Sequence, residues 1–383
     1  MIYSTFQDKK LSLLGFGAMR LPTLPDGGVD AERTADMVRL AFGGGVNYID
    51  TAYPYHGGAS ESVLGDILQN YPRESYYLAT KFPGHQIAES YDPAAVFEEQ
   101  LKKCRVDYFD FYLLHNVYEK SAEVYNDPKW GIVDYFIEQK KKGRIKHLGF
   151  STHARYDSLR AFLDRWGAHM EFCQMQLNYL DWSLQDAEAR YNLLTERGIP
   201  VWVMEPLRGG KLASVNGLDN AVEQAFRWLQ GLDNVKMVLS GMSSEEQMEQ
   251  NIAIFDERKP LSEDEVQKLY ALADGMKNSL PCTACRYCCD GCPMELDIPR
   301  IIGAYNDHRF SPGFLVTMNM ESLPEGHRPA DCIGCGACAA VCPQNIDIPK
   351  AMQDFAAELS KMPSWAQVCR ERDEAQKKAK QGK

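Results

Sequence analysis

Eight short apolar runs, rich in β-branched and aromatic side chains, punctuate the first two thirds of the chain. They are LLGFGAM (13–19), VNYID (46–50), YYLATK (76–81), FDFYLLH (109–115), IKHLGFS (145–151), FCQMQLN (172–178), PVWVME (200–205) and VKMVLSG (235–241). Each is followed by a stretch with the amphipathic spacing of a helix. Successive runs start roughly 30 residues apart, room for one crossover helix, and eight such units in about 250 residues is the size of a closed (β/α)8 barrel. An open doubly wound sheet is the rival, but its G-x-G-x-x-G fingerprint is absent, Gly15 and Gly17 being followed by Met19 and Pro22. The pattern predicts an α/β fold with a TIM barrel over 1–260. MIYSTFQDKKLSLL, ahead of the first run, predicts a hairpin across the barrel floor. Ser262 and Glu265 match a capping box and predict a linking helix within 261–280.

At 383 residues, 45% of them apolar, the chain has material for a second unit beyond that barrel. The net charge of −11, from 53 acidic against 42 basic residues, argues against a nucleic-acid binder held by phosphate contacts. No apolar run approaches the roughly 18 residues of a membrane span, and MIYSTFQDKK lacks the basic-then-apolar order of a signal peptide. A cytoplasmic location is the expectation.

Of the 12 cysteines, Cys104, Cys173 and Cys369 stand alone and the rest crowd into two short runs, which points to metal in a reducing compartment. CTACRYCCDGCPMELDIPR (282–300) and CIGCGACAAVCPQNIDIPK (332–350) align without a gap at an offset of 50, each reading C-x2-C-x2-C-x3-C-P. Three thiolates so spaced can wrap one face of a cubane cluster, while the fourth, followed by proline, points to the neighbouring cluster. The spacing predicts two [4Fe–4S] clusters: Cys282, Cys285, Cys288 and Cys342 on one, Cys332, Cys335, Cys338 and Cys292 on the other, with Cys289 spare. Paired structural zinc sites are the alternative, but zinc usually draws on two separated C-x2-C pairs. The region 281–362 resembles the two-cluster ferredoxins of bacteria. Its intervening 293–331, with Tyr305, His308 and Phe310, is longer than in the small ferredoxins and implies a more helical ferredoxin-like module. The tail, 363–383, ends in the charged ERDEAQKKAKQGK, expected to be a solvated helix or disordered.

In a (β/α)8 barrel the working residues lie at the C-terminal ends of the strands. Those positions hold Asp50, with Tyr55 shortly after, then Lys81, His115, Ser151 and Gln174. Each alone has a dull explanation, a surface pair or a satisfied core histidine. Together they suit carbonyl reduction by hydride, which needs a proton donor and a site that stabilises the developing alkoxide. Tyrosine's ordinary pKa of about 10 is high for that task, and Lys81 is expected to lower it. Asp50 balances the lysine, and His115 orients the carbonyl oxygen.

These stretches, LGFGAMRLP, D-T-A-x-x-Y followed by SESVLG, TKF, LLH, GFS and the glutamine of the sixth run, resemble the aldo-keto reductases. The resemblance implies a catalytic tetrad of Asp50, Tyr55, Lys81 and His115. It implies a nicotinamide nucleotide, NADP or NAD, whose carboxamide meets Ser151 and Gln174. The remaining contacts it implies are Gly17, Ala18, Met19, Asp50 and Thr152, then Met204, Pro206, Leu207, Gly209 and Lys211, then Ser240, Gly241, Met242, Gln247 and Asn251. Two departures stand out. Met204 occupies the place where the family often stacks an aromatic ring, and LSGMSSEEQMEQN offers Gly241 and Gln247 where basic residues would hold an extra phosphate. Glu245 and Glu246 would not favour that phosphate, although Arg208 and Lys211 can approach a pyrophosphate.

The expected function is hydride transfer between a nicotinamide nucleotide and a small-molecule carbonyl or alcohol, coupled to or accompanied by electron transfer through two clusters. A nicotinamide delivers two electrons while each cluster changes by one, so coupling calls for a flavin or another converter. No flavin motif is visible, but such barrels can hold a flavin mononucleotide phosphate near RGGK and SGMSS. The alternative is a ferredoxin-type electron carrier whose barrel docks a redox partner protein. The loop 116–130, with Tyr118, Tyr125 and Trp130, suggests an apolar pocket rim, and ordinary loop packing explains these aromatics equally well.

Overall fold

A parallel strand covered on both faces has no polar side to show, so it reads as an unbroken apolar run. The computed structural model turns the eight runs into eight such strands. It describes residues 1–381 except 216, 277–279, 281, 283, 285, 287, 311 and 343, and it leaves aside the side chains of 376 and 379–381. A hairpin of β1 (Tyr3–Phe6) and β2 (Lys9–Ser12) precedes β3 (Leu14–Gly17), β4 (Tyr48–Asp50), β5 (Tyr77–Phe82), β6 (Phe109–Val117) and β7 (Ile145–Thr152). Then follow β8 (Cys173–Gln176), β9 (Val201–Met204) and β10 (Val235–Ser240). Strands β3 to β10 pair in chain order, all parallel, and β10 closes on β3 through Val238↔Leu14 and Ser240↔Phe16. The sheet is the expected closed barrel.

The hairpin is antiparallel, Tyr3 opposite Ser12 and Phe6 opposite Lys9. Phe6 sits in one buried cluster with Tyr48, Phe111, Phe172, Trp202 and Met237, its ring 5.0 Å from Trp202 and nearly perpendicular to it. Edge-to-face contacts of this kind add about 0.5–1.5 kcal/mol each to area burial. The barrel floor is thereby filled, and the strand ends at the other rim are left for chemistry.

Helices between the strands carry ordinary start signals. Asp30 caps Ala31–Gly43 by accepting from Arg33 N, and Asp92 caps Pro93–Cys104 by accepting from Ala95 N. Such caps stabilise by about 1 kcal/mol each. Gly65 lets the helix Ala59–Leu68 press against the end of Pro93–Cys104, because a Cβ there would collide with the Lys103 carbonyl. Ser262 and Glu265 form the expected box, Glu265 Oε2 accepting from Ser262 N at 2.7 Å, and the helix runs Glu263–Met276.

The chain divides into two units. The first comprises 1–179, 187–266 and 372–383, and the second 180–186 and 267–371. The second is helical: Ile298–Phe310, Phe314–Glu321 and Ile348–Leu359 pack Ile301, Ile302, Val316, Met320, Met352 and Phe355 into one core, with Tyr305 stacked on Phe355 at 5.0 Å. The sequence repeat extends into geometry. Asp297-Ile298-Pro299 and Asp347-Ile348-Pro349 each lead into a helix. Left-handed backbone recurs at an offset of 50, at Ala284 and Gly334, Arg286 and Gly336, Glu295 and Asn345. Ala284 and Arg286 hold that conformation against a cost of about 1–2 kcal/mol each, so something about the two loops demands it. The charged tail forms part of a helix, Trp365–Gln381, that is not solvated throughout: Trp365 is buried and stacks on Phe314 at 5.5 Å. Among the described residues no helix is long and apolar enough to cross a membrane.

Candidate functional site

Asp50 ends β4, Lys81 lies near the end of β5, His115 lies in the last part of β6, and Tyr55 follows β4 in the short turn Tyr55–Gly58. Strand register does the assembly: Asp50 pairs with Ala79, and Lys81 with Leu113. Lys81 Nζ donates to Asp50 Oδ1 at 2.5 Å, to the Thr51 carbonyl at 2.7 Å and to the Tyr55 hydroxyl at 3.2 Å. The Tyr55 and His115 rings meet edge to face at 5.9 Å. The four residues expected to act together do come together.

A second layer fixes Lys81. Glu61, fully buried in SESVLG, accepts from Thr80 Oγ1 at 2.6 Å and from Gln100 Nε2 at 2.7 Å, and Lys103 pairs with its other oxygen at 2.7 Å. Gln100 Nε2 also reaches the Lys81 carbonyl, at 3.1 Å. A buried carboxylate needs partners of this kind, and here hydrogen bonds hold one oxygen and an ion pair the other. It ties helix, strand and lysine into one block.

The electrostatics correct one expectation. Burial pushes the Tyr55 hydroxyl above its ordinary value, and although Lys81 pulls it down, burial together with Asp50 prevails. Tyr55 is therefore a neutral phenol at neutral pH, a proton donor that has not already given its proton away. Burial likewise raises the Asp50 carboxyl against the pull of Lys81. Burial works to lower Lys81, but Asp50 and Tyr55 together carry it above the usual lysine range. His115 is held well below the usual imidazole value, by burial first and then by His85, Lys81, Arg372 and His153. It is a neutral ring, able to donate or accept one hydrogen bond.

The residues expected at the nucleotide are held in several ways. Gln174 is buried with its Oε1 unpartnered among the described residues, an acceptor suited to a carboxamide NH2. Ser151 Oγ accepts from Asn116 N at 2.7 Å. The Thr152 hydroxyl is held by the backbone around it, donating to the Val117 carbonyl at 2.8 Å and accepting from Ala154 N at 2.9 Å. Gln247 Oε1 accepts from Ser243 N, and Asn251 Nδ2 donates to Ser240 Oγ, each at 2.8 Å, so both side chains shape the loop after β10. Gly17 must lack a Cβ, which would press on the Ser240 carbonyl at 3.1 Å. Ala18, Pro206 and Met242 are buried, Met204 and Leu207 half-buried, and Met19, Gly209, Lys211 and Gly241 exposed at the rim. Glu205 and Arg208 take left-handed backbone after β9, strain of the kind that gathers at ligand loops. Arg20 lies across them, its guanidinium 3.9 Å from Glu205. Tyr118 and Tyr125 are not rim residues: both are buried, and the Tyr125 hydroxyl donates to the His115 carbonyl at 2.8 Å.

Sequence reasoning missed His85, whose ring lies 4.2 Å from that of His115. It follows Lys81 by four residues in TKFPGHQ, a strand-end loop, and that position was the available signal. Arg372 and Arg20 gave none, since their placement is set by long-range packing.

In the second unit two cavities lie among the cysteines. One is lined by Cys332, Cys335, Cys338 and Cys292, with Ile298, Ile333 and Met352. The other is lined by Cys282, Cys288 and Cys342, with Ile302, Ile346 and Ile348. Cys285 lies outside the described residues. Each cavity thus takes thiols from one motif and a further thiol from the other. Left-handed backbone at 284 and 286 recurs at 334 and 336, the equivalent positions of the second loop. A thiol-lined, otherwise apolar chamber fits an iron–sulfur cluster.

Comparison with known proteins bears on both units. Residues 13–224 match the Aldo/keto reductase family, and residues 281–346 match a 4Fe-4S dicluster domain. Among curated proteins, L-galactose dehydrogenase of Arabidopsis thaliana is 26% identical over 311 residues, 70% of this chain and 92% of its own length. NADH-specific methylglyoxal reductase of Escherichia coli is 27% identical over 54% of this chain and 66% of its own length. Among solved structures, the holo form of an aldo-keto reductase from Bacillus halodurans superposes with a TM-score of 0.60 at 24% identity, covering 71% of this chain and 96% of that one. One from Klebsiella pneumoniae in complex with NADPH gives 0.57 at 21%, again covering 71% and 96%. At these identities the structures speak for the fold alone.

Proposed function

The chain belongs to the Aldo/keto reductase family, and from that premise we propose that it transfers hydride between a nicotinamide nucleotide and a carbonyl or alcohol, with two [4Fe–4S] clusters moving electrons alongside. The observation that carries this reading is the buried Asp50–Lys81–Tyr55 array facing His115 at the strand ends. When bound, the nucleotide supplies the hydride. Tyr55 gives its proton to the oxygen on which negative charge develops, and Lys81, 3.2 Å away, stabilises the phenolate that remains. Asp50 keeps Lys81 in place and balances its charge. His115, a neutral ring, holds the carbonyl oxygen toward Tyr55. Gln174 supports the carboxamide.

In the second unit Cys282, Cys285, Cys288 and Cys342 would hold one cluster, and Cys332, Cys335, Cys338 and Cys292 the other. Each would pass one electron at a time. Neither the matched families nor the rim residues point to a flavin, and the reading proceeds without one. NADH and NADPH both stand as candidates, one curated relative being named as NADH-specific.

The tetrad's intact packing favours an enzyme over a docking scaffold with an idle barrel. The test is Tyr55→Phe in the iron-loaded protein. Carbonyl reduction should fall by a factor of at least about 100, the usual weight of a proton donor, while cluster absorbance is unchanged. Unchanged turnover would sink the reading. An anaerobic titration with each nucleotide, followed at the cluster absorbance, tests the coupling: bleaching would join barrel and clusters in one electron path, and clusters that respond only to dithionite would separate the two halves.

A further inference from the structure

We propose that Arg286 and Gln344 set the two clusters at unequal potentials, so that the one held among Cys282, Cys288 and Cys342 is the easier to reduce and a single electron given to the pair rests there. The proposal rests on the two-cluster reading above and adds an order to it.

The two cavities are built from matching positions of the repeat, 50 residues apart. Cys282, Ile298 and Pro299 of the first correspond to Cys332, Ile348 and Pro349 of the second. Because the fourth thiols cross over, Cys342 and Ile346 of the first correspond in turn to Cys292 and Leu296 of the second. Ile333 and Cys335 match positions 283 and 285, outside the described residues. The apolar lining has two exceptions, both in the first cavity. Arg286 stands where the second cavity has Gly336, and Gln344 stands where it has Met294.

A cluster that gains an electron gains a negative charge, and its potential follows the charges and hydrogen-bond donors around it. Arg286 is a cation at any working pH, and the Gln344 amide brings two N–H donors, whereas Gly336 and Met294 bring neither. Arg286 is exposed and pairs with Asp297 at 3.1 Å, so part of its charge is offset. That anion, however, is common to both halves. Asp297 accepts from Arg300 N at 3.4 Å and its counterpart Asp347 from Lys350 N at 3.1 Å, each at the start of its helix. The cation is present in one half alone. Two further charges differ between the motifs. Asp290, matched by Ala340, is exposed and lines neither cavity. Glu295 lies between Met294 and Leu296 of the second cavity, where the first has Asn345, and its negative charge makes the second cluster harder still to reduce.

The test is an anaerobic potentiometric titration of the full-length, iron-loaded protein, with dithionite as the electron source and electron paramagnetic resonance as the readout. The unaltered protein should take up its electrons in two separate steps, one electron to one cluster in each. Arg286→Gly should weaken the electron affinity of the upper step by about 3- to 10-fold, the larger figure being about 59 mV for a one-electron couple, and leave the lower step in place. This variant does not endanger the loop: Arg286 holds left-handed backbone at φ 66°, and the repeat already has glycine there, Gly336 at φ 78°. Arg286→Lys keeps the charge and should move the upper step less than Arg286→Gly does. Adding Gln344→Met to Arg286→Gly makes the two linings alike and should narrow the gap further. Coincident steps in the unaltered protein, an upper step that Arg286→Gly leaves in place, or a shift of the lower step instead would overturn the proposal. Iron content and spin count in the same samples separate the two failures. Fewer than two clusters in the unaltered protein would remove the two-cluster reading itself, whereas two clusters reduced at one potential would remove only the order between them.

Discussion

Replacing Lys81 by methionine keeps most of the side-chain volume and removes the ammonium that three oxygens share: Asp50 Oδ1, the Thr51 carbonyl and the Tyr55 hydroxyl. Lys81 is fully buried and Asp50 only 3% exposed, so no water replaces the lost donor. Breaking one side of a buried pair costs about 3–5 kcal/mol, mostly the penalty of the charge left behind. Burial already raises the Asp50 carboxyl, and without Lys81 it rises further, which gives the variant an escape by taking up a proton. The expected loss at pH 7 is therefore at the low end, about 3 kcal/mol, or about 10 °C in the thermal midpoint of a barrel of this size. The sign with pH follows from the raised carboxyl: stability it contributes is present at low pH and lost as the pH rises through its folded-state value. The gap between Lys81→Met and the unaltered protein thus narrows on acidification. Asp50→Asn in the Lys81→Met background removes the stranded charge and should regain about 2 kcal/mol, the non-additivity expected of contacting residues. The assay is anaerobic thermal unfolding followed by tryptophan fluorescence, with cluster absorbance as a separate channel. A Lys81→Met midpoint equal to that of the unaltered protein, or a double variant no more stable than the single, would refute the reasoning.

Crossed ligation predicts which cysteine losses compound. Cys282→Ser with Cys342→Ser should lose no more iron than either alone, whereas Cys332→Ser with Cys342→Ser should lose both clusters by iron analysis and spin counting; the opposite pattern would uncross the ligands. With His115 neutral and Tyr55 raised above 10, kcat/KM for carbonyl reduction should stay flat from about pH 6 to 9 and decline only as Tyr55 ionises. A limb near the ordinary histidine value of about 6.5 that disappears in His115→Gln would contradict that assignment.

The barrel was legible because its strands are largely buried on both faces: FDFYLLH is apolar but for Asp110 and the closing His115, and it is buried from Phe109 to Leu114. The tetrad was legible because barrel topology converts strand-end positions into neighbours without knowledge of a side chain. What failed has a common cause. The net direction of Tyr55 depends on how burial weighs against Lys81, and burial is not written locally. Tyr118 and Tyr125 lie in a loop with no motif, and the structure turns them inward. Arg372 is invisible for a further reason, since nothing near it in sequence announces that it is grouped with a barrel whose last strand ends at Ser240.

The exchange of thiols between the two cavities also bears on synthesis. The cavity built on the first motif includes Cys342 and the other includes Cys292, so under the proposed ligation a chain extended only past the first motif has three thiols for one cluster and a single one, Cys292, for the next. At ribosomal speeds of roughly 5–20 residues per second, the wait from Cys282 to Cys342 is several seconds. During that interval a barrel already complete in sequence trails an unfinished iron site, and whatever delivers iron and sulfide must arrive after the last quarter of the chain has emerged, or shield the thiols until it does.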